Sequence, residues 1–206
     1  MLKLFYAPGS CALASHIALE EAGAAYAAVR LDLRAGDQRK PEYLAVNPKG
    51  RVPALVTDRG ILTENPAILA YIAQSYPAAR LAPFDDAYEF GRMQSFNSYL
   101  CATVHVAHAH RMRAYRWADD AAAIAEMQRK VPQNVGECFD LIEREMFEGP
   151  WVMGGRYSIC DPYLFTLAGW MEGDGVDPAG FPKIQDHQRR MKQRPAVRKI
   201  WELHQN

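Results

Sequence analysis

A short apolar run, Leu2 to Tyr6, breaks at Pro8-Gly9 and resumes as a helical pattern through Leu13, Ala14, Ile17 and Ala18. A strand feeding a helix through so tight a turn constrains the fold more than any other stretch, because it commits the N-terminal third to alternating element types. It also sets Ser10 and Cys11 at a helix N-terminus, where backbone N–H groups lack intrahelical acceptors and carry partial positive charge. Thiols in such places tend to be reactive, so Cys11 is expected to meet a thiol or an anion.

The alternation continues downstream. The helix spans 13–22 and stops at Gly23, and a second strand covers 26–31. A polar loop with a short helical turn occupies 32–42, a third strand 52–57 and a fourth 61–63, joined at Asp58-Arg59-Gly60. A helix then starts at Pro66. Beyond Tyr76-Pro77 the character changes, and 84–117, 121–146, 158–171, 182–194 and a short piece at 197–203 all read as helical. The expected organisation is an α/β domain over 1–77, with a mixed four-stranded sheet, then a short linker and an all-α domain over 84–206.

Composition excludes several function classes. The 24 basic and 24 acidic residues cancel, so nothing argues for bulk attraction to nucleic acid or an anionic membrane. No apolar run approaches the ~20 residues that span a bilayer, and the N-terminus does not read as a signal peptide. The four cysteines, Cys11, Cys101, Cys138 and Cys160, are widely spaced without a C-x-x-C pair, which fits a reducing, cytoplasmic compartment.

Two further stretches carry chemistry. In Asn47-Pro48-Lys49-Gly50-Arg51-Val52-Pro53, the proline stands where a strand begins and cannot donate to the ladder. The loop is either an ordinary turn or, with a cis Val52–Pro53 bond, a site whose Val52 backbone pairs with an extended, peptide-like ligand. In Thr63-Glu64-Asn65-Pro66, a proline preceded by asparagine signals a helix start. Asn65 either caps that helix or helps its N-terminus hold a carboxylate. Ser158-Ile159-Cys160-Asp161 has the spacing of a capping box and reads as scaffold. His105, His108 and His110 have no carboxylate or cysteine at ligand spacing, so no metal is expected. Arg111, Arg113 and Arg116 read as a solvated face or part of an interface, and Tyr6 as a packing residue.

In this order and spacing, Tyr6-Ala7-Pro8-Gly9-Ser10-Cys11, Asn47 to Pro53 and Thr63-Glu64-Asn65-Pro66-Ala67-Ile68 resemble the cytosolic glutathione transferase family, and within it the bacterial, cysteine-type beta class. The resemblance covers essentially the whole chain. It implies a thioredoxin-like first domain that binds glutathione and an all-α second domain that supplies the acceptor pocket. Cys11 matches the cysteine facing the glutathione sulfur, and Ser10 beside it is expected to bind glutathione. Val52 matches the residue whose backbone pairs with the cysteinyl part, next to a cis Pro53. Glu64 and Asn65 match the pair receiving the γ-glutamyl end, and His105 matches a histidine near the sulfur.

Three positions depart from the family pattern. Asn65 stands where serine is usual. The usual lysine is replaced by Ala35-Gly36, leaving Arg39 or Lys40 as substitutes. A ligand asparagine aligns with Ser98, although Asn97 is adjacent. The implied activity conjugates glutathione, as co-substrate and without a permanently bound cofactor or a metal, to a small hydrophobic electrophile. Detoxification and a homodimer follow from the same resemblance, with no nucleic-acid or membrane partner. A single-cysteine thiol–disulfide oxidoreductase or dehalogenase is the alternative chemistry, since Ala14 excludes a two-cysteine cycle. A ligand-binding or regulatory protein of the same fold is the third reading.

Overall fold

The structure is a computed structural model and describes residues 1–205. Its contacts divide the chain into two units. One comprises residues 1–90 together with the C-terminal segment from Met191; the other comprises 91–190.

In the first unit, β1 (Leu2–Tyr6), α1 (Ala12–Glu21), β2 (Tyr26–Arg30), α2 (Pro41–Leu44), β3 (Ala54–Thr57), β4 (Gly60–Thr63) and α3 (Asn65–Ser75) follow in chain order. The sheet runs β2-β1-β3-β4, with β1 parallel to β2 and antiparallel to β3, and β3 antiparallel to β4. The two-residue side-chain period of β1 explains how the sheet is covered on both faces. Leu4 and Tyr6 are buried on one face, while Phe5 packs on the other against Tyr43 with ring centroids 5.4 Å apart. Fully buried Ile17 of α1, Leu55 of β3, and Ile68, Leu69 and Ile72 of α3 make the larger core. Helix α1 ends in a Schellman arrangement: Gly23 at φ +64° lets Gly23 N–H reach Glu20 O at 3.1 Å and Ala24 N–H reach Leu19 O at 3.1 Å.

The second unit is helical: most of α4 (Ala87–Tyr99), α5 (His105–Arg113), α6 (Ala121–Arg129), α7 (Val131–Leu141), α8 (Cys160–Ala168) and most of α9 (Pro182–Gln193). Helices α4 and α5 are joined by a π turn, Leu100–Val104, so the expected segment 84–117 is helical over most of its length but not uniformly α. The expected segment 121–146 divides at Lys130, because Pro132 lies in the first turn of α7 and cannot sit inside a continuous helix.

Two expected boundaries move. β3 begins at Ala54, not Val52, because the cis proline at 53 has no N–H for the ladder. The last helix, α10 (Pro195–Gln205), was expected with the all-α domain but packs on α1 in the first unit. An amphipathic helix declares which face it buries and not what covers it, so the return was invisible in the pattern. Arg194 holds Glu21 through two hydrogen bonds of 2.6 and 2.8 Å, Lys199 holds Glu20 at 2.6 Å, and buried His16 and His204 meet at 3.1 Å. Tyr6 packs against both histidines with ring centroids 4.8 and 4.9 Å away, the packing role expected of it.

The Ser158–Asp161 pair is the scaffold feature expected. Asp161, fully buried, accepts from Ser158 N–H at 2.7 Å, and Ser158 Oγ accepts from Cys160 N–H at 3.2 Å. Its other oxygen accepts from Val152 N–H at 2.9 Å and from His187 Nε2 at 3.1 Å. One carboxylate therefore joins the start of α8, the preceding loop and α9.

Candidate functional site

Cys11 is the N-cap of α1, half-buried, and its thiol donates to Val52 O at 3.4 Å. The turn before it is self-contained: Ser10 Oγ donates to Ala7 O at 2.7 Å and accepts from Ala12 N–H at 3.3 Å. The Ser10 side chain thus shapes the junction and leaves the thiol as the reactive group there.

Opposite, the Val52–Pro53 bond is cis. Buried Asn47 shapes the loop leading to it, its amide donating to Arg51 O at 2.6 Å and its carbonyl accepting from Lys49 N–H at 3.2 Å. The Tyr43 hydroxyl reaches the same Arg51 carbonyl at 2.7 Å. Gly50, at φ +59°, is required, since a Cβ there would lie 2.9 Å from Gln38 O. The loop therefore presents Val52, which lies outside the sheet, beside the thiol.

At the third corner, Glu64 takes φ +72°, a backbone conformation that costs an ordinary residue roughly 1–3 kcal/mol and persists only where its surroundings hold it. Its half-exposed carboxylate accepts from Lys49 Nζ at 2.5 Å. Asn65 is buried and begins α3, but it makes none of the cap bonds expected of it. Instead its Nδ2 donates to Cys11 O at 2.8 Å and its Oδ1 accepts from Ser15 Oγ at 2.5 Å. The side chain ties the starts of α1 and α3 together. Cys11, Val52, Pro53, Glu64 and Asn65 are thus brought together. Lys40 is not among them: its ammonium turns to Asp37 within its own loop at 2.7 Å, and that partner raises its pKa.

In the second unit Ser98 is exposed on α4, whereas adjacent Asn97 is fully buried with neither amide atom hydrogen-bonded. His105 opens α5, its ring 5.3 Å from that of Trp170. His108 stacks on the same indole at 4.2 Å and donates from Nδ1 to buried Asp174 at 2.7 Å. Arg111 Nε stands 3.3 Å from that carboxylate, so this partly exposed arginine is ion-paired to the buried Asp174. Asp174 and Trp170 were absent from the sequence reading, since a partner 66 residues from His108 leaves no spacing signal. An open groove of about 440 Å³ is lined by Tyr99, Thr103, Val106, His110, Asn134 and Cys138 among others. Burial pushes the Cys138 thiol up, which keeps it protonated and unlike a nucleophile. Among the aromatics of the second unit, Phe96 is core, while Tyr115 and Trp117 are exposed.

Comparison with known proteins is consistent along the chain. The glutathione S-transferase N-terminal domain matches residues 1–74. Glutathione S-transferase GstA of Escherichia coli is 34% identical over 199 residues, 95% of each chain. A Sulfitobacter glutathione transferase homologue solved with bound glutathione superposes with a TM-score of 0.95 at 43% identity, covering 98% of both chains. The bacterial beta class glutathione S-transferase of Sphingomonas chungbukensis superposes at 0.86 with 37% identity, again over 98% of both.

Proposed function

This chain belongs to the glutathione S-transferase family, and on that premise we propose that it joins the sulfur of glutathione to small hydrophobic electrophiles. The observation that carries the reading is the Cys11 thiol at the head of α1, 3.4 Å from Val52 O beside a cis Pro53. An extended cysteinyl segment aligned on the Val52 backbone brings its own sulfur to that thiol. Val52 lies outside the ladder, so its backbone can pair with the ligand as an added strand would.

The thiol of glutathione loses its proton, the thiolate attacks an electrophilic carbon, and the leaving group departs as an anion. Lowering a thiol pKa from ~9 to ~7 requires about 2.7 kcal/mol of thiolate stabilisation. Donors fixed before reaction, here the Cys11 thiol and the head of α1, supply that without reorganising. His105 and Ser98, in the second unit, enter through the family resemblance, as do the homodimer, the cytoplasmic location and a role in detoxification. Among the described residues no helix is long and apolar enough to cross a membrane.

Replacing Cys11 by alanine is expected to lower kcat/KM for an activated aryl halide by about tenfold or more, with the thermal midpoint nearly unchanged. Steady-state conjugation rates decide it, and an unchanged rate removes Cys11 from the chemistry. The same half-exposed thiol favours one second reading, a mixed disulfide with glutathione, in which Cys11 bonds covalently to the ligand sulfur.

A further inference from the structure

The proposed reaction needs the Cys11 thiol held in one direction, and a thiol is itself a weak donor. That direction is set where Cβ leaves the backbone, and so by the two peptides flanking the residue. On one side, Ser10 O accepts from Leu13 N–H at 3.2 Å. On the other, Cys11 O accepts from Ala14 N–H at 3.2 Å within α1 and from Asn65 Nδ2 at 2.8 Å. The shorter of these bonds comes from another helix. Asn65 is buried at the head of α3, whose Ile68, Leu69 and Ile72 are fully buried in the core, so the anchor is rigid. Its Oδ1 accepts from the Ser15 hydroxyl at 2.5 Å. Ser15, fully buried, stands one turn beyond Cys11 on the same face of α1. That hydroxyl decides which end of the amide is oxygen, because a turned amide sets Oδ1 against Cys11 O, acceptor against acceptor.

We propose that Asn65 is a positioning residue for the Cys11 thiol, holding the Cys11 carbonyl from the head of α3 while Ser15 keeps its amide turned that way. The inference rests on the reading that Cys11 assists the glutathione thiolate. With the carbonyl anchored, both peptides flanking Cys11 are fixed, and the sulfur keeps its place beside Val52 O as the thiolate forms. A donor that must be re-aimed during the reaction stabilises charge less than one already in place, and such groups need holding within roughly 0.5 Å. An asparagine suits the task because its amide offers a donor and an acceptor at once, so one side chain joins the two helix heads. A residue of this kind acts on the chemical step. A residue that received the ligand's carboxylate acts on binding instead, and the two roles separate in kcat and Kd.

The test is a double-mutant cycle of Asn65→Ala with Cys11→Ala, reading kcat for conjugation of glutathione to chlorodinitrobenzene and the glutathione Kd by calorimetry. Asn65→Ala is expected to lower kcat about three- to tenfold with the Kd nearly unchanged, and to add no further loss in the Cys11→Ala background. Ser15→Ala, which leaves the amide in place but frees its orientation, is expected to lower kcat in the same way by a smaller factor. If circular dichroism shows Asn65→Ala unfolded, Ser15→Ala carries the same cycle. A loss of equal size with and without the Cys11 thiol overturns the role of Asn65, as does a weakened Kd with kcat unchanged; both leave the proposed function standing. A wild type that conjugates no glutathione, or Cys11→Ala at the wild-type rate, overturns that reading and the role of Asn65 with it.

Discussion

Asp161→Ala is expected to remove about 3–5 kcal/mol of stability, a large share of the roughly 5–15 kcal/mol that holds an ordinary domain folded. The carboxylate is fully buried and accepts from Ser158 N–H, Val152 N–H and His187 Nε2 within 3.1 Å. A carboxylate offers only acceptors, so all three partners are donors, and truncation strands each of them away from water at roughly 1–3 kcal/mol apiece. Asp161→Asn should also be costly although it preserves shape. Whichever way the amide turns, its NH2 confronts a backbone N–H that needs an acceptor. Urea unfolding checks this through the midpoint at unchanged slope. A loss below about 1 kcal/mol for the alanine variant would mean that the carboxylate is not the hub its bonds describe.

The second large effect is acid sensitivity seated where α10 returns to α1. Burial pushes the pKa of His16 down to about 4, against an opposing pull from Glu20 and a smaller push from Lys199 in the same direction. Burial, and then the neighbouring His16, pushes His204 down to about 3. Both rings sit against Tyr6, and His16 also meets the edge of Tyr26. In the unfolded chain each imidazole titrates near 6.5, so below that pH the unfolded state binds more protons than the folded one. Stability is thus fully present above about pH 6.5 and is lost as pH falls toward the folded values, by about 2 kcal/mol per histidine between pH 7 and 5. Thermal midpoints across that range should fall steeply for the wild type and less steeply for His204→Phe. Identical slopes for the two proteins would remove the pair as the cause.

Much of this was legible in the residues, and what was not has physical reasons. The β1-turn-α1 junction and the position of Cys11 follow from local periodicity and from Pro8-Gly9, because short-range sterics decide them. The sheet strands were legible for the same reason. The cis bond at Pro53 came from resemblance, since spacing alone leaves the isomer open. Asn65 was placed correctly at the start of α3, but of its two readings the cap is not made, because a side-chain amide selects partners in three dimensions, here the start of α1. The same limit hid Lys49 as the partner of Glu64, Asp174 as the partner of His108, and α10 as the cover of α1. Asn97 is different: Met93, Phe96, Asn97, Leu100 and Val104 form one buried helical stripe, so its burial could have been read from spacing.

The most direct test of the account is to titrate glutathione into the wild-type protein by calorimetry while recording intact mass under non-reducing conditions. The account predicts micromolar-to-millimolar binding with no covalent addition, because Cys11 assists the ligand thiolate and does not bond to it. Absence of binding would contradict it, and so would a mass gain of one glutathione that disappears in Cys11→Ala.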